Sequence, residues 1–374
     1  MASSAALLAV ADVQRRVDDT LAARPLRIAQ VAPLYESVPP KYYGGTERIV
    51  SYLTEELVRQ GHDVTLFASG DSHTSARLVA ACPRSLRLDP ACVDQLAHHV
   101  AMLERVVRGS ADFDIIHFHI DYLHFPLSRR QSYAHVTTLH GRLDIADLVA
   151  LYEEFRDPPV VSISDSQRTP LPWLNWQATV YHGIPLGRYH FQPRPGAYLA
   201  CLGRVSPEKG VDRAIEIAKQ VGTPLKIAAK VDKVDAEYFK SAIEPLLHDP
   251  LVEFIGEIGD ERKQDFLGNA QALLFPIDWP EPFGLVMIEA MACGTPVIAY
   301  SSGAVPEVME HGRTGFVVQE LDDAVEAVRR VPELSRARCR KVFEERFTAE
   351  RMARDYVAVY ERLIAAQEKR RALA

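Results

Sequence analysis

Cysteine is scarce in this 374-residue chain and unsuited to a framework. The five residues Cys82, Cys92, Cys201, Cys293 and Cys339 are scattered, odd in number and without a C-x-x-C pair. That excludes a disulfide scaffold and a thiolate zinc site, and fits reduced thiols. An excess of positive charge is missing too. With 43 Lys plus Arg against 50 Asp plus Glu, the formal net charge is −7, which argues against broad nucleic-acid binding and gives no support for docking on an anionic membrane. No run approaches the roughly 18 apolar residues of a transmembrane helix. G-x-x-x-x-G-K-[ST] and G-x-S-x-G are absent, and no G-x-G-x-x-G follows the first strand pattern, so a nicotinamide enzyme is poorly supported. Residues 1–25 hold a short apolar segment without a basic start, closely followed by Asp12. They read as an amphipathic lead-in rather than a secretory signal. Together these absences give the expectation of a cytoplasmic protein.

What is present is an ordinary globular composition, 47% hydrophobic and 25% charged, in a length that suggests two domains. Short β-rich runs alternate with helical spacing. "LRIAQVAP" (26–33), "DVTLFAS" (63–69), "FDIIHFHI" (113–120), "HVTTLH" (135–140) and "PVVSISD" (159–165) read as strands, and "TERIVSYLTEELVRQ" (46–60) as a helix stopped by Gly61. A second series starts near 197, with strands at 197–205, 225–231, 252–258, 272–277 and 295–300. Strands alternating with helices imply parallel sheets covered on both faces. Two series imply two Rossmann-like α/β domains, over 26–185 and 186–347, joined near the Pro- and Gly-interrupted stretch 184–197. A long helix pattern fills 348–374. Ligands of such sheets bind beyond the carboxyl ends of the strands, here in the cleft between the domains.

Several motifs fall at those ends. Gly44 and Gly45, in "YYGGTER", lie between the first strand and the first helix, where glycine admits a ligand close to the backbone and a helix N-terminus favours an anion; a tight turn explains them equally well. Arg204 and Lys209, in "GRVSPEKG", suit a diphosphate, one as a planar fork and one as a point charge, unless they form a solvated basic loop. In "WPEPFGLVMIEAMACGTPVIAY" the two glutamates Glu281 and Glu289 are the sole charges. Pro280 and Pro282 keep Glu281 out of a helix, and Gly284 opens one that carries Glu289. Free N–H groups near Phe283, Gly284, Leu285 and Val286 would then form an anion site beside Glu281. The structural alternative is a carboxylate complementing the helix dipole and another paired with a base. His140 closes a strand as a polar contact or a core histidine. His117, His119 and Asp121 alternate as on one face of a strand, an incomplete metal signature.

In combination these segments resemble the family 4 retaining glycosyltransferases, which have the GT-B fold. The resemblance covers roughly residues 26–365. It rests first on the E-x7-E of Glu281 and Glu289, then on "GRVSPEKG", and on "GGTER", "HFH", "TTLHG", "SISDSQR", "HGIP" and "SSGAVPEVMEHGRTGFVV" in the family's order. It implies two facing Rossmann-like domains with an interdomain cleft, and a hexosyltransferase using a nucleotide-diphosphate sugar, UDP-glucose by default, without a required metal or cofactor. By the same resemblance Glu281 contacts donor-sugar hydroxyls, Glu289 the ribose, and the N–H groups of 284–286 sugar and phosphate. Arg204 and Lys209 match the pair that neutralises the diphosphate, Gly45 the loop facing it, His140 the histidine near the sugar, and Ile258 the base-binding loop. The acceptor is a saccharide, a lipid-linked intermediate or a small metabolite. His182 and Pro185 depart from the usual Asn-Gly-Val-Asp, and Ser302-Gly303-Ala304 from the usual double glycine. An epimerase or hydrolase on the same fold, and a non-catalytic sugar-nucleotide binder, are the competing readings.

Overall fold

A computed structural model describes residues 24–373; the expected lead-in at 1–25 lies almost entirely outside the described residues. Two all-parallel sheets carry the molecule. The first has seven strands in the order β3-β2-β1-β4-β5-β6-β7 and the second six, in the order β10-β9-β8-β11-β12-β13. Their strands are β1 Arg27–Val31, β2 Asp63–Ser69, β3 Arg77–Cys82, β4 Ile115–Phe118, β5 His135–Thr138, β6 Val160–Ser162 and β7 Trp176–Thr179, then β8 Tyr198–Val205, β9 Leu225–Val231, β10 Val252–Phe254, β11 Ala270–Phe275, β12 Val297–Tyr300 and β13 Gly315–Val318. In both sheets the order reverses beside the first strand of the series, β1 or β8, which opens a crevice at that strand's carboxyl end.

The central strands are those with continuous apolar runs, as burial on both faces demands. Of the edge strands, β7 carries no such run, and β3, although apolar from Leu78 to Cys82, is half-exposed over its first four residues as β7 is throughout. Strand β4 is shorter than "FDIIHFHI" suggests. It ends at Phe118, and Asp121 sits in a tight turn with φ 49°. His117, His119 and Asp121 therefore do not alternate along one strand face.

The helix Ala349–Leu373 packs across the Gly45–Arg59 helix and β5. Its apolar side joins the two sheets into one core, running from Ile28, Ile49 and Leu53 through Phe347, Met352 and Tyr356 to Phe283, Met287 and Ile288.

Candidate functional site

Where the carboxyl ends of the two sheets face each other lies a cavity of about 640 Å³. Gly44, Gly45, His140, Arg204, Lys209, Ile258, Glu281, Phe283, Gly284, Leu285, Val286 and Glu289 all line it. Segments far apart in the chain are thus brought to one place by the topology.

The two glutamates have a common design. Glu281 accepts at Oε2 from Lys209 Nζ at 2.5 Å and from Trp279 Nε1 at 3.0 Å. Glu289, 3% exposed, accepts at Oε1 from Lys263 Nζ at 2.8 Å and from the Tyr189 hydroxyl at 3.1 Å. The other oxygen of each carboxylate has no hydrogen-bond partner among the described residues. Buried carboxylates need a cation, and each has one; one oxygen of each stays open to a hydroxyl donor.

Between them the helix Leu285–Cys293 begins. Its N-cap Gly284 has φ 83°, a conformation that glycine adopts without strain. The N–H groups of Phe283, Gly284, Leu285 and Val286 donate to no acceptor among the described residues. They form a ready anion site, with Leu285 facing Gly45 at the start of the Gly45–Arg59 helix.

Arg204 and Lys209 reach the cavity by different routes and are not a solvated basic pair. Arg204, on β8, donates to Glu208 at 2.7 Å and lies 3.9 Å from Asp232 and from Asp235. Lys209 closes the turn after β8 and sits 4.4 Å above the Trp279 ring. Trp279 and Lys263 thus orient the glutamates, a role sequence did not disclose. Lys263 lies in a polar helix, and nothing local marks it as the partner of Glu289.

Loop 302–304 fixes Glu281 from behind. Ser302 Oγ donates to the Trp279 carbonyl at 2.6 Å, and Ala304 N–H to the Glu281 carbonyl at 2.9 Å. Gly303 has φ 56°, and a β-carbon there would stand 2.3 Å from the backbone N and O of Glu281. Gly303→Ala is therefore expected to displace Glu281, lowering turnover at least about tenfold and stability by about 1–3 kcal/mol. Steady-state rates and a urea melt check both; a variant with native kinetics would show that Glu281 does not depend on this contact.

On the facing wall a chain of polar groups backs His140. Its Nε2 lies 2.9 Å from His119 Nδ1, and His119 Nε2 lies 2.7 Å from Gln30 Oε1. Gln30 Nε2 donates to the Tyr360 hydroxyl, which is 2.7 Å from His117 Nδ1, and His117 Nε2 meets Thr138 Oγ1, which meets the Tyr356 hydroxyl. With the Gln30 carbonyl accepting from His119 Nε2–H, His119 Nδ1 is an acceptor and His140 Nε2–H its donor. His140 Nδ1 is then a lone pair, buried and without a protein partner. Burial depresses the pKa of all three histidines, that of His140 to about 3, so they are neutral. His117 is a satisfied core residue, and among the described residues no group of three or more His, Cys, Asp or Glu could hold a metal ion.

His182 also lines the cavity, stacked on His140 with centroids 5.4 Å apart and edge-on to Phe283 at 4.9 Å. The departure at "HGIP" thus touches the site itself and not only the junction. Arg48 of "GGTER" pairs with Asp260 across the cleft.

Comparison with known proteins gives the family and the fold. Residues 43–193 match the model described as Glycosyltransferase Family 4, and residues 190–346 the one described as Glycosyl transferases group 1. The chain is 27% identical to a glycogen synthase of Mycobacterium tuberculosis, over 88% of this chain and 89% of that one. Among solved structures it is similar to AviGT4, a glycosyltransferase involved in avilamycin A biosynthesis, with a TM-score of 0.71 and 26% identity over 91% of this chain and 98% of the other. Anabaena HepE in complex with UDP and glucose superposes with a TM-score of 0.71 at 16% identity, over 89% and 98% of the two chains.

Proposed function

The chain belongs to the glycosyltransferases whose two halves are the family 4 and group 1 models, with the GT-B fold, and from that premise we propose that it moves a hexose from a nucleotide-diphosphate sugar to a hydroxyl acceptor with retention at the anomeric carbon. The observation that carries this reading is the pair of half-committed carboxylates. Glu281 and Glu289 each hold one oxygen against the protein and leave one free, on either side of unpaired helix N–H groups.

Glu281 would take hydroxyls of the donor sugar and Glu289 those of the ribose, with the base against the loop around Ile258. Breaking the sugar–diphosphate bond develops positive charge on the sugar and negative charge on the leaving group. Arg204, Lys209 and the N–H groups of Gly284, Leu285 and Val286 stabilise the second, and their positions are fixed before the reaction, so little reorganisation is needed. These charges can meet the diphosphate without a metal ion. The diphosphate, leaving on the face that the acceptor attacks, would take the acceptor's proton. The His140 Nδ1 lone pair would accept from a donor-sugar hydroxyl. UDP-glucose is the first donor to try, since HepE, of the same fold, was solved in complex with UDP and glucose.

The test is a panel of UDP-, GDP- and ADP-glucose without acceptor, measuring binding and slow nucleotide release. One donor is expected to bind and be slowly hydrolysed, and Glu289→Gln to weaken its binding about tenfold through loss of a charge-assisted hydrogen bond. Binding of none of the three would remove this reading of the cleft.

A further inference from the structure

One layer of the core beneath the C-terminal helix is polar, though no water reaches it. Strands β1, β4 and β5 place the apolar residues Ile28, Ile115 and Val136 in the joint core. Two positions further along the same strand faces stand Gln30, His117 and Thr138, all fully buried. Tyr356 and Tyr360, one turn apart on the helix Ala349–Leu373 and equally buried, meet them. Apolar side chains would fill this layer without any polar group to satisfy. The polar groups instead form the chain that ends at His140. Within that chain, among the described residues, the one buried atom without a partner is His140 Nδ1, at the cavity.

The direction of every bond in the chain follows from one amide. Gln30 turns its oxygen to His119 Nε2 at 2.7 Å and its nitrogen to the Tyr360 hydroxyl at 3.1 Å. Tyr360 O–H then donates to His117 Nδ1, and His117 Nε2–H to Thr138 Oγ1. Toward the cavity, His119 Nδ1 accepts from His140 Nε2–H, which leaves the lone pair on His140 Nδ1. With the amide turned over, each of these bonds would reverse. All interior groups would again be satisfied, and His140 Nδ1 would carry the proton. That state leaves a buried N–H without an acceptor, which proteins tolerate less well than an unshared lone pair. The tautomer of His140 is thus tied, through His119, to the orientation of Gln30 and to a hydroxyl on the C-terminal helix.

We propose that Gln30 is a positioning residue for the transfer: its amide, held by the Tyr360 hydroxyl, keeps the His140 Nδ1 lone pair available to a hydroxyl of the donor sugar. This rests on the transferase reading. A hydroxyl can donate to that lone pair, whereas ring and glycosidic oxygens cannot. A mixture of tautomers would offer the accepting atom only part of the time, and the apparent donor affinity would fall by that fraction.

The experiment uses the full chain, labelled at its histidine nitrogens for NMR, and whichever of UDP-, GDP- or ADP-glucose it hydrolyses slowly. The His140 signals, assigned by their loss in His140→Phe, report which ring nitrogen carries the proton. In the unsubstituted protein at neutral pH, Nε2 is expected to be protonated and Nδ1 bare. Gln30→Met, close in shape but unable to hold His119, and Tyr360→Phe are each expected to bring in the other tautomer. Each should lower kcat/KM for donor hydrolysis about three- to tenfold, the worth of one neutral hydrogen bond. In a His140→Phe background Gln30→Met is expected to cost less than about twofold, because a residue acting through another adds nothing once that other is gone. The inference is overturned by a protonated Nδ1 in the unsubstituted protein, or by an unchanged tautomer in both variants. It is equally overturned by a changed tautomer with unchanged kcat/KM, or by a loss that is the same with and without His140, as damage to the fold alone would give. Where Gln30→Met does not fold, Tyr360→Phe and the spectrum of the unsubstituted protein decide. No hydrolysis with any donor removes the transferase reading and this role with it, while the spectra still show which atom His140 leaves bare.

Discussion

Lys209→Ala is expected to lower kcat by about two to three orders of magnitude, the range for removal of one preorganised charge at a developing anion. The ammonium is fixed before any substrate arrives, 2.5 Å from Glu281 Oε2 and 4.4 Å above Trp279. Charge on the departing diphosphate grows mainly in the transition state, so the loss falls on kcat as well as on donor affinity. A raised KM with unchanged kcat would contradict that role. The same pairing makes a second demand. Glu281→Ala leaves Lys209 without its partner, and Lys209→Ala leaves Glu281 without its own, so each single variant already damages both halves of the pair. The double variant should be little worse than the worse single one, because groups in one network do not add. A double-variant cycle on single-turnover rates checks it; losses that multiply would mean the two act independently.

Acidification from pH 7.5 to 5.5 is expected to remove at least about 5 kcal/mol of folding stability, a large share of what a domain possesses. The cause is the set of buried histidines, foremost His117, His119, His124 and His182, exposed by 0%, 2%, 0% and 4%, with His135 and His140, held down by burial to about 4 and about 3, adding to the loss. Burial holds each well below its usual pKa in the fold. Unfolded, each titrates near 6.5. Below that value the unfolded chain binds protons that the folded one refuses, so stability is intact above pH 6.5 and is lost as pH falls. Each contributes on the order of 1 kcal/mol by pH 5.5. Asp121 acts in the opposite sense. Burial raises it to about 6, so the fold takes up its proton before the unfolded chain does and regains a little under 1 kcal/mol over the same interval. Urea melts at pH 7.5, 6.5 and 5.5 read the slope directly. A flat profile would mean that the histidines are protonated in the fold, and the neutral hydrogen-bonded chain behind His140 would have to be redrawn.

Much of this protein was determined by its sequence alone. Apolar runs broken by helical spacing define the central strands of both sheets, because a parallel strand buried on two faces can tolerate little else. Gly284 and Gly294 bracket the Leu285–Cys293 helix, and Pro280 and Pro282 keep Glu281 out of it, so the anion site and its carboxylate follow from local backbone rules. Partnership was decided only by tertiary structure. Lys263 orients Glu289, yet nothing in its own neighbourhood says so; the polar face of one helix meets another only after β8 and β11 have paired. His117, His119 and Asp121 form a pattern in the sequence that the structure dissolves. One enters the core against Tyr360, one backs His140, and one turns out of the strand into the cavity. The edge strands and the departure at His182 tell the same story. Local sequence sets which conformation a segment takes, whereas what its side chains touch depends on residues that only the fold brings near, from 26 positions away for Lys263 and Glu289 to 243 for His117 and Tyr360.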